Sequence, residues 1–279
     1  MARRAERDFA AADALRDRLA DGGWEVLDSA HGSVLKVLKA PARDEEPATQ
    51  RAVSLLAVVG GWKADAERWL LSVFKHCKAD FEVVLLDDSG DVAIASWIES
   101  RSAERLRGVT FDPPVGFAAA VNAGIEGAAS PVCVLFDTSV ELTGDAVTPL
   151  LDALGDATVA VAGPFGLRAK AAMKEFGESE GPTVDAIEGY CIAFRRADAV
   201  AAGLLDPKYR FYRIADIDLS FRLRERGGEA RVIQGLPVVR HEHRKWESTP
   251  AAERDRLSRR NFYRFLDRWR LREDLLSGQ

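Results

Sequence analysis

Between Val53 and Phe136 the chain repeats one pattern, a short unbroken apolar run followed by a segment of helical periodicity. The runs are Val53-Ser-Leu-Leu-Ala-Val-Val59, Glu82-Val-Val-Leu-Leu-Asp87 and Val132-Cys-Val-Leu-Phe136. A strand without polar alternation has no face for solvent and must be covered on both sides, which a parallel sheet between two helix layers achieves. The intervening segments supply those layers. Helices are expected over 65–78, with Trp69, Val73 and Cys77 turned inward, over 93–102 and over 117–128, with a short strand near 109–111. The expected fold class is α/β, doubly wound and mostly parallel. Ligands of such sheets bind just beyond the carboxyl ends of the strands.

The flanks have a different character. Residues 1–40 read as a small module: a charged helix from Ala5 to Leu19, a stop at Gly22-Gly23, then a hairpin of Trp24 to Leu27 and Val34 to Leu38. A polar, proline-bracketed linker follows at 41–50, the strand–helix repeat opens a domain spanning 51–245, and 246–279 form a basic helical tail. The chain carries a net charge of −5, which argues against a general nucleic-acid partner, yet residues 240–272 hold eleven Lys/Arg against five Asp/Glu. Phe262, Phe265, Leu266 and Trp269 recur there at helical spacing. The tail is either a packing helix with a solvated face or a surface for docking on a membrane or an anionic partner. No apolar run approaches the length of a membrane span, and no signal-peptide core is present, so a cytoplasmic protein is expected, membrane-peripheral if the tail docks. Cys77, Cys133 and Cys191 lie singly in apolar segments and read as buried thiols.

Two strand ends are acidic: Leu86-Asp-Asp-Ser-Gly-Asp91 and Phe136-Asp-Thr-Ser-Val-Glu-Leu142. Neither Gly-x-Gly-x-x-Gly nor Gly-Lys-Ser/Thr accompanies them, which disfavours a dinucleotide or P-loop site. Carboxylates at these places suit two tasks, accepting hydrogen bonds from a base or ribose and holding a divalent cation against a diphosphate. Each turn alone is equally an ordinary Asp/Ser/Gly turn. Farther on, Asp216 and Asp218 open a helix whose apolar positions include Leu219, Phe221 and Leu223. Asp216 is expected to cap it, with its pKa lowered by the first-turn N–H groups. His241 and His243 follow a predicted strand pair; on a strand both imidazoles face one way, where a cation or diphosphate can use them, and otherwise they are surface histidines. Arg244 and Lys245 are candidate diphosphate partners.

Taken in order, Val53 onward, the Asp87-Asp88-Ser89 turn, Val115–Ile125, Leu135–Leu142 and Ala215–Arg224 resemble the family 2 glycosyltransferases of the GT-A fold, over about residues 53 to 245. Arg195-Arg196 and Gly203–Tyr212 resemble the segment leading into that family's acidic motif. The resemblance implies a nucleotide-sugar donor, inversion at the anomeric carbon, and a divalent cation, Mg²⁺ or Mn²⁺. It implies that Asp87 or Asp88 contacts the nucleobase, that Gly116, Phe117 and Asn122 line the nucleotide pocket, and that Asp137 binds the cation, with His241 as a further ligand. Asp216 matches the catalytic base, with Asp218 and Tyr212 toward an acceptor that is a saccharide or lipid-linked. The chain departs from the family pattern at Ser139, where an aspartate is usual, at Ala215, where a glutamate is usual, and at Gly60-Gly-Trp-Lys63, which lacks the usual aromatic–asparagine step. These departures keep open a catalytically impaired nucleotide-binding protein of the same fold. A nucleotidyltransferase is a third reading, for which Gly60–Lys63 is a poor nucleotide loop. Residues 4–36 separately resemble the C-terminal segment of cysteinyl-tRNA synthetases, without that enzyme's nucleotide-binding signatures or zinc site.

Overall fold

The computed structural model describes residues 24–29, 32–37, 52–103, 105–170 and 173–277. Residues 1–49 group as one unit. Within it β1 (Trp24–Ser29) and β2 (Gly32–Val37) form an antiparallel hairpin that sets Trp24 opposite Val37. This is the expected hairpin; the helix expected over 5–19 and the linker 41–50 lie outside the described residues.

Residues 50–279 form the second unit. Its first half alternates β3 (Val53–Val59), α1 (Lys63–His76), β4 (Phe81–Asp87), α2 (Val92–Arg101), β5 (Leu106–Thr110), α3 (Phe117–Gly127) and β6 (Val132–Asp137). The four strands are mutually parallel in the order β5-β4-β3-β6. The chain continues through β7 (Val140–Leu142), α4 (Val147–Gly155), β8 (Val159–Gly163), β9 (Gly166–Lys170), β10 (Glu175–Ser179), β11 (Thr183–Val184), β12 (Ala186–Ile187), β13 (Cys191–Arg195), α5 (Arg196–Ala201), α6 (Ala215–Glu225), β14 (Glu229–Val232), β15 (Val238–Arg240), α7 (Arg244–Ser248) and α8 (Ala251–Trp269). Antiparallel β13 joins β6 to β8, extending the sheet to eight strands, β11-β14-β8-β13-β6-β3-β4-β5.

The two-residue period of the strands explains why both faces are dry. Val53, Leu55, Ala57 and Val59 pack with Trp69, Val73, Trp97 and Leu150 of one helix layer, while Leu56 packs with Val121 and Ile125 of the other. The one polar side chain facing inward from β3, Ser54, donates to Glu82 Oε1 at 2.6 Å. A third apolar cluster joins Phe221 of α6 to Phe265 and Trp269 of α8, so the arginine-rich C-terminal helix is packed through its apolar stripe. Among the described residues no helix is long and apolar enough to cross a membrane.

Two features of this topology create the site. β3 has β4 on one side and β6 on the other, so the connections leaving β3 and β6 diverge and open a crevice at their carboxyl ends. The β7–β15 ladder, continued by the His241 N–H donating to the Ser139 carbonyl at 2.8 Å, then carries residues 238–243 back over that crevice.

Candidate active site

The strand ends deliver their side chains to two adjoining chambers. Val58 and Gly60 after β3, Asp88 after β4 and Asp137 after β6 line the first, with Trp62, Phe117, Tyr212, His243, Arg244 and Lys245; its volume is about 680 Å³. The second, about 550 Å³, shares Val58, Phe117, Asp137, Tyr212 and His243, and adds Glu188, Tyr190, Arg213 and Asp216.

His243 stands at the partition. Its Nε2 lies 3.0 Å from Asp137 Oδ2, and its ring stacks on Tyr212 with centroids 4.4 Å apart. Its Nδ1 accepts the Trp246 N–H at 3.3 Å, capping α7. An Nδ1 that accepts leaves the ring proton on Nε2, directed at Asp137. Burial works to raise the Asp137 pKa, but the hydrogen bonds from His243 and Ser139 outweigh it and hold the carboxyl below its ordinary value. His241, the expected cation ligand, instead meets Glu141 Oε2 at 2.7 Å outside both chambers, because residues 241–243 have left the strand and the imidazoles no longer share a face. Of the two histidines, His243 reaches Asp137.

Asp216 is the second residue of α6. Ile214, at the N-cap, has φ 75°, a left-handed conformation that a β-branched residue adopts at a strain of order 1–3 kcal/mol. No side chain caps the helix. Asp216 Oδ2 accepts the Gly189 N–H at 2.8 Å and Oδ1 the Ile217 N–H at 3.0 Å. The expectation of a cap with a lowered pKa is therefore corrected: burial raises the Asp216 pKa, and Gly189 and Arg213 offset this only in part. Asp218, expected toward the acceptor, is instead 1% exposed, accepts Trp269 Nε1–H at 2.7 Å and pairs with Arg222. Two residues on, it points about 200° round the helix from Asp216.

The remaining predicted residues divide between lining and support. Phe117 and Asp88 line the first chamber, and Asp88 Oδ1 also accepts the Val115 and Gly116 N–H groups at 2.7 and 2.9 Å, fixing the loop into α3. Asp87 is buried behind it; Ser89 donates twice to Oδ1, and Oδ2 has no hydrogen-bond partner among the described residues. Asn122 is a clamp, exchanging hydrogen bonds of 2.8 and 2.9 Å with the Leu205 backbone. At Gly116, φ is 95° and an added Cβ would lie 2.9 Å from the Arg210 backbone. Gly116→Ala should therefore lower stability by about 1–3 kcal/mol. Gly155→Ala, with nothing within 4 Å, is the control, and thermal melts should separate the two.

Three contributors escaped sequence reasoning. Asp65, 4% exposed in the first turn of α1, binds Arg68 at 2.9 Å and Arg244 at 3.3 Å, tethering α7 to the first chamber. Asn261 of α8 donates to the Phe211 and Arg213 carbonyls, each at 2.8 Å, holding the loop that carries Tyr212. Glu188 lies beside Asp216, its pKa pushed up to about 7 by burial and then by the Asp216 charge, against Arg240 at 3.2 Å. Because the folded state holds this proton more tightly, the contribution to stability is complete below pH ~4.5 and is lost as pH rises toward 7. Glu188→Gln should flatten the fall in melting temperature between pH 5 and 8; identical profiles would contradict the shift.

A cation fits at Asp137 and His243. No group of three or more His, Cys, Asp or Glu forms a metal cluster among the described residues, but one carboxylate and one imidazole suffice where diphosphate oxygens and water complete the shell. Nε2 must give up its proton to become a ligand.

The sequence profile of glycosyl transferase family 2 matches residues 63–202, half of the chain. The chain belongs to glycosyl transferase family 2. No curated protein matches the sequence. Among solved structures, GalNAc-T7 with UDP, GalNAc and Mn²⁺ is 15% identical with a TM-score of 0.62, over 79% of this chain and 49% of that one. The mannosyltransferase PcManGT from Pyrobaculum calidifontis, in complex with GDP-Man and Mn²⁺, is 16% identical with a TM-score of 0.53, over 81% and 62%. The family 2 chain thus shares their GT-A fold and spans about half of the first protein's length and under two thirds of the second's. Of the departures, Ala215 is fully buried against Leu219, where a glutamate would need a polar partner, while the buried Ser139 hydroxyl has no hydrogen-bond partner among the described residues.

Proposed function

We propose that this family 2 member transfers a sugar, with inversion, from a nucleotide-diphosphate donor to an acceptor hydroxyl on a saccharide or lipid-linked acceptor, with Asp216 as general base. The observation that carries this reading is that two chambers meet at Asp137, Tyr212 and His243 while Asp216 opens into the second alone. The donor's diphosphate belongs beside Asp137 and His243, flanked by Arg244 and Lys245, and its base toward the Asp87-Asp88 end of β4. Asp137 and His243 would hold a divalent cation of the kind present in the two similar structures. Such a cation neutralises charge growing on the leaving diphosphate.

In the second chamber Asp216 accepts the proton of the acceptor hydroxyl as its oxygen bonds to the anomeric carbon. The bond from that carbon to the diphosphate breaks on the opposite face, and its electron pair leaves with the nucleoside diphosphate. The Gly189 N–H fixes the carboxylate, and the raised pKa gives a base stronger than a solvated aspartate. Arg244 and Lys245 retain the departing diphosphate.

A thermal-shift panel of nucleoside diphosphates tests the donor chamber. At least one should raise the melting temperature, more so with Mn²⁺, and no shift with any of them contradicts the reading. A shift without donor turnover supports the impaired protein that Ser139 and Ala215 suggest.

A further inference from the structure

Where α6 meets α8, a third cleft opens on the side of α6 turned away from Asp216. Its volume is about 780 Å³, and its walls come from the loop before α6, from α6 and from α8. Two of its three carboxylates are already engaged. Asp218 takes hydrogen bonds from Trp269 and Arg222, and Asp206 takes the Lys208 N–H at 2.9 Å and Arg264 at 3.0 Å. Its donors are not. Among the described residues no hydrogen bond is made by either terminal nitrogen of Arg222, by the Tyr209 hydroxyl or by the Arg260 guanidinium, and against them stands the single carboxylate of Asp267.

Two of these donors are deep in the protein, Tyr209 at 1% exposed and Arg222 at 8%. Tyr209 lines the cleft beside Asp206, Asp218, Arg222 and Arg264. Neither the Tyr209 hydroxyl nor the Arg222 terminal nitrogens are sealed from solvent, so they open into the cleft, where a ligand rich in acceptors would replace water.

We propose that this cleft is a second binding site, separate from the donor chamber, for a phosphate-bearing ligand. The free edge of the Arg222 guanidinium offers a planar pair of donors matched to two phosphate oxygens, and Tyr209 adds a third. Exposed Arg260 neutralises the remaining charge at the mouth. The same loop serves both sites: Tyr209 reaches this cleft, while Arg210, Phe211 and Tyr212 line the donor chamber.

Calorimetric titration of the full chain with inorganic phosphate tests the site, using Tyr209→Phe, Arg260→Gln, their double variant, and Lys245→Ala as a donor-chamber control. Tyr209→Phe deletes a hydroxyl and Arg260→Gln changes an exposed side chain, so unchanged melting temperatures should show that both fold. Phosphate should bind the wild type saturably, each single variant should weaken about tenfold the component that the double variant loses, and Lys245→Ala, which touches only phosphate held in the donor chamber, should leave that component unchanged. Sedimentation with phosphatidylglycerol and phosphatidylcholine vesicles identifies the source. Binding to the anionic vesicles that phosphate competes away assigns a lipid headgroup; phosphate binding without vesicle binding assigns a soluble phosphate ester. The proposal is overturned if the wild type binds neither phosphate nor anionic vesicles, if the double variant binds as the wild type does, or if Lys245→Ala abolishes all phosphate binding.

Discussion

Asp137→Ala should weaken donor binding on the order of a hundredfold and remove its dependence on Mn²⁺. Asp137 is the carboxylate that β6 delivers to the wall shared by both chambers, and its pKa lies below the ordinary value, so it is fully ionised at neutral pH. Removing it takes away the charged partner of His243 and one of the two side chains that fit a cation. Asp137→Asn separates these effects, since the amide still hydrogen-bonds His243 but carries no charge. If the cation site is correct, isothermal titration will show both variants indifferent to Mn²⁺. Wild-type affinity with intact Mn²⁺ dependence in Asp137→Ala would place the cation elsewhere.

Asp216→Asn should leave donor affinity near that of the wild type and lower turnover by at least about a hundredfold, the usual loss on removing a general base. The asparagine can still accept the Gly189 N–H, so the loop should hold its place. The same assignment fixes the sign of the pH dependence. A base must be unprotonated, and burial raises the Asp216 pKa, so wild-type turnover should fall as pH drops through a value above the ordinary aspartate range. The residual activity of Asp216→Asn should lack that acidic limb.

The sheet was legible because its signal is local. Unbroken apolar runs allow one arrangement, and β3, β4 and β6 lie within a residue of where the pattern put them. The helix boundaries of α2 and α3 followed from the same periodicity. Placement in the candidate site was legible only where a side chain's position depends on its own strand end, as for Asp88 and Asp137, which line the first chamber. The choice between His241 and His243 turns on where the β15 strand stops, and that is decided by pairing with β7, a hundred residues earlier in the chain. Asp218 reads as a second functional carboxylate because, although Arg222 one turn on is a local partner, nothing adjacent announces that Trp269 will enclose it. Glu188 and Asp65 were invisible because the partners that make them notable, Asp216 and Arg240 for Glu188 and Arg244 for Asp65, come from other elements. Asn261 lies one turn before Phe265 on the stripe that Phe265 and Trp269 mark, and its task of holding the 211–213 loop is wholly tertiary.

The most direct measurement is nucleoside diphosphate released per enzyme by Asp216→Asn at a donor concentration shown by titration to saturate it. Binding comparable to the wild type with release at least about a hundredfold slower is the expected result. Release at the wild-type rate from a saturated variant contradicts Asp216 as the base.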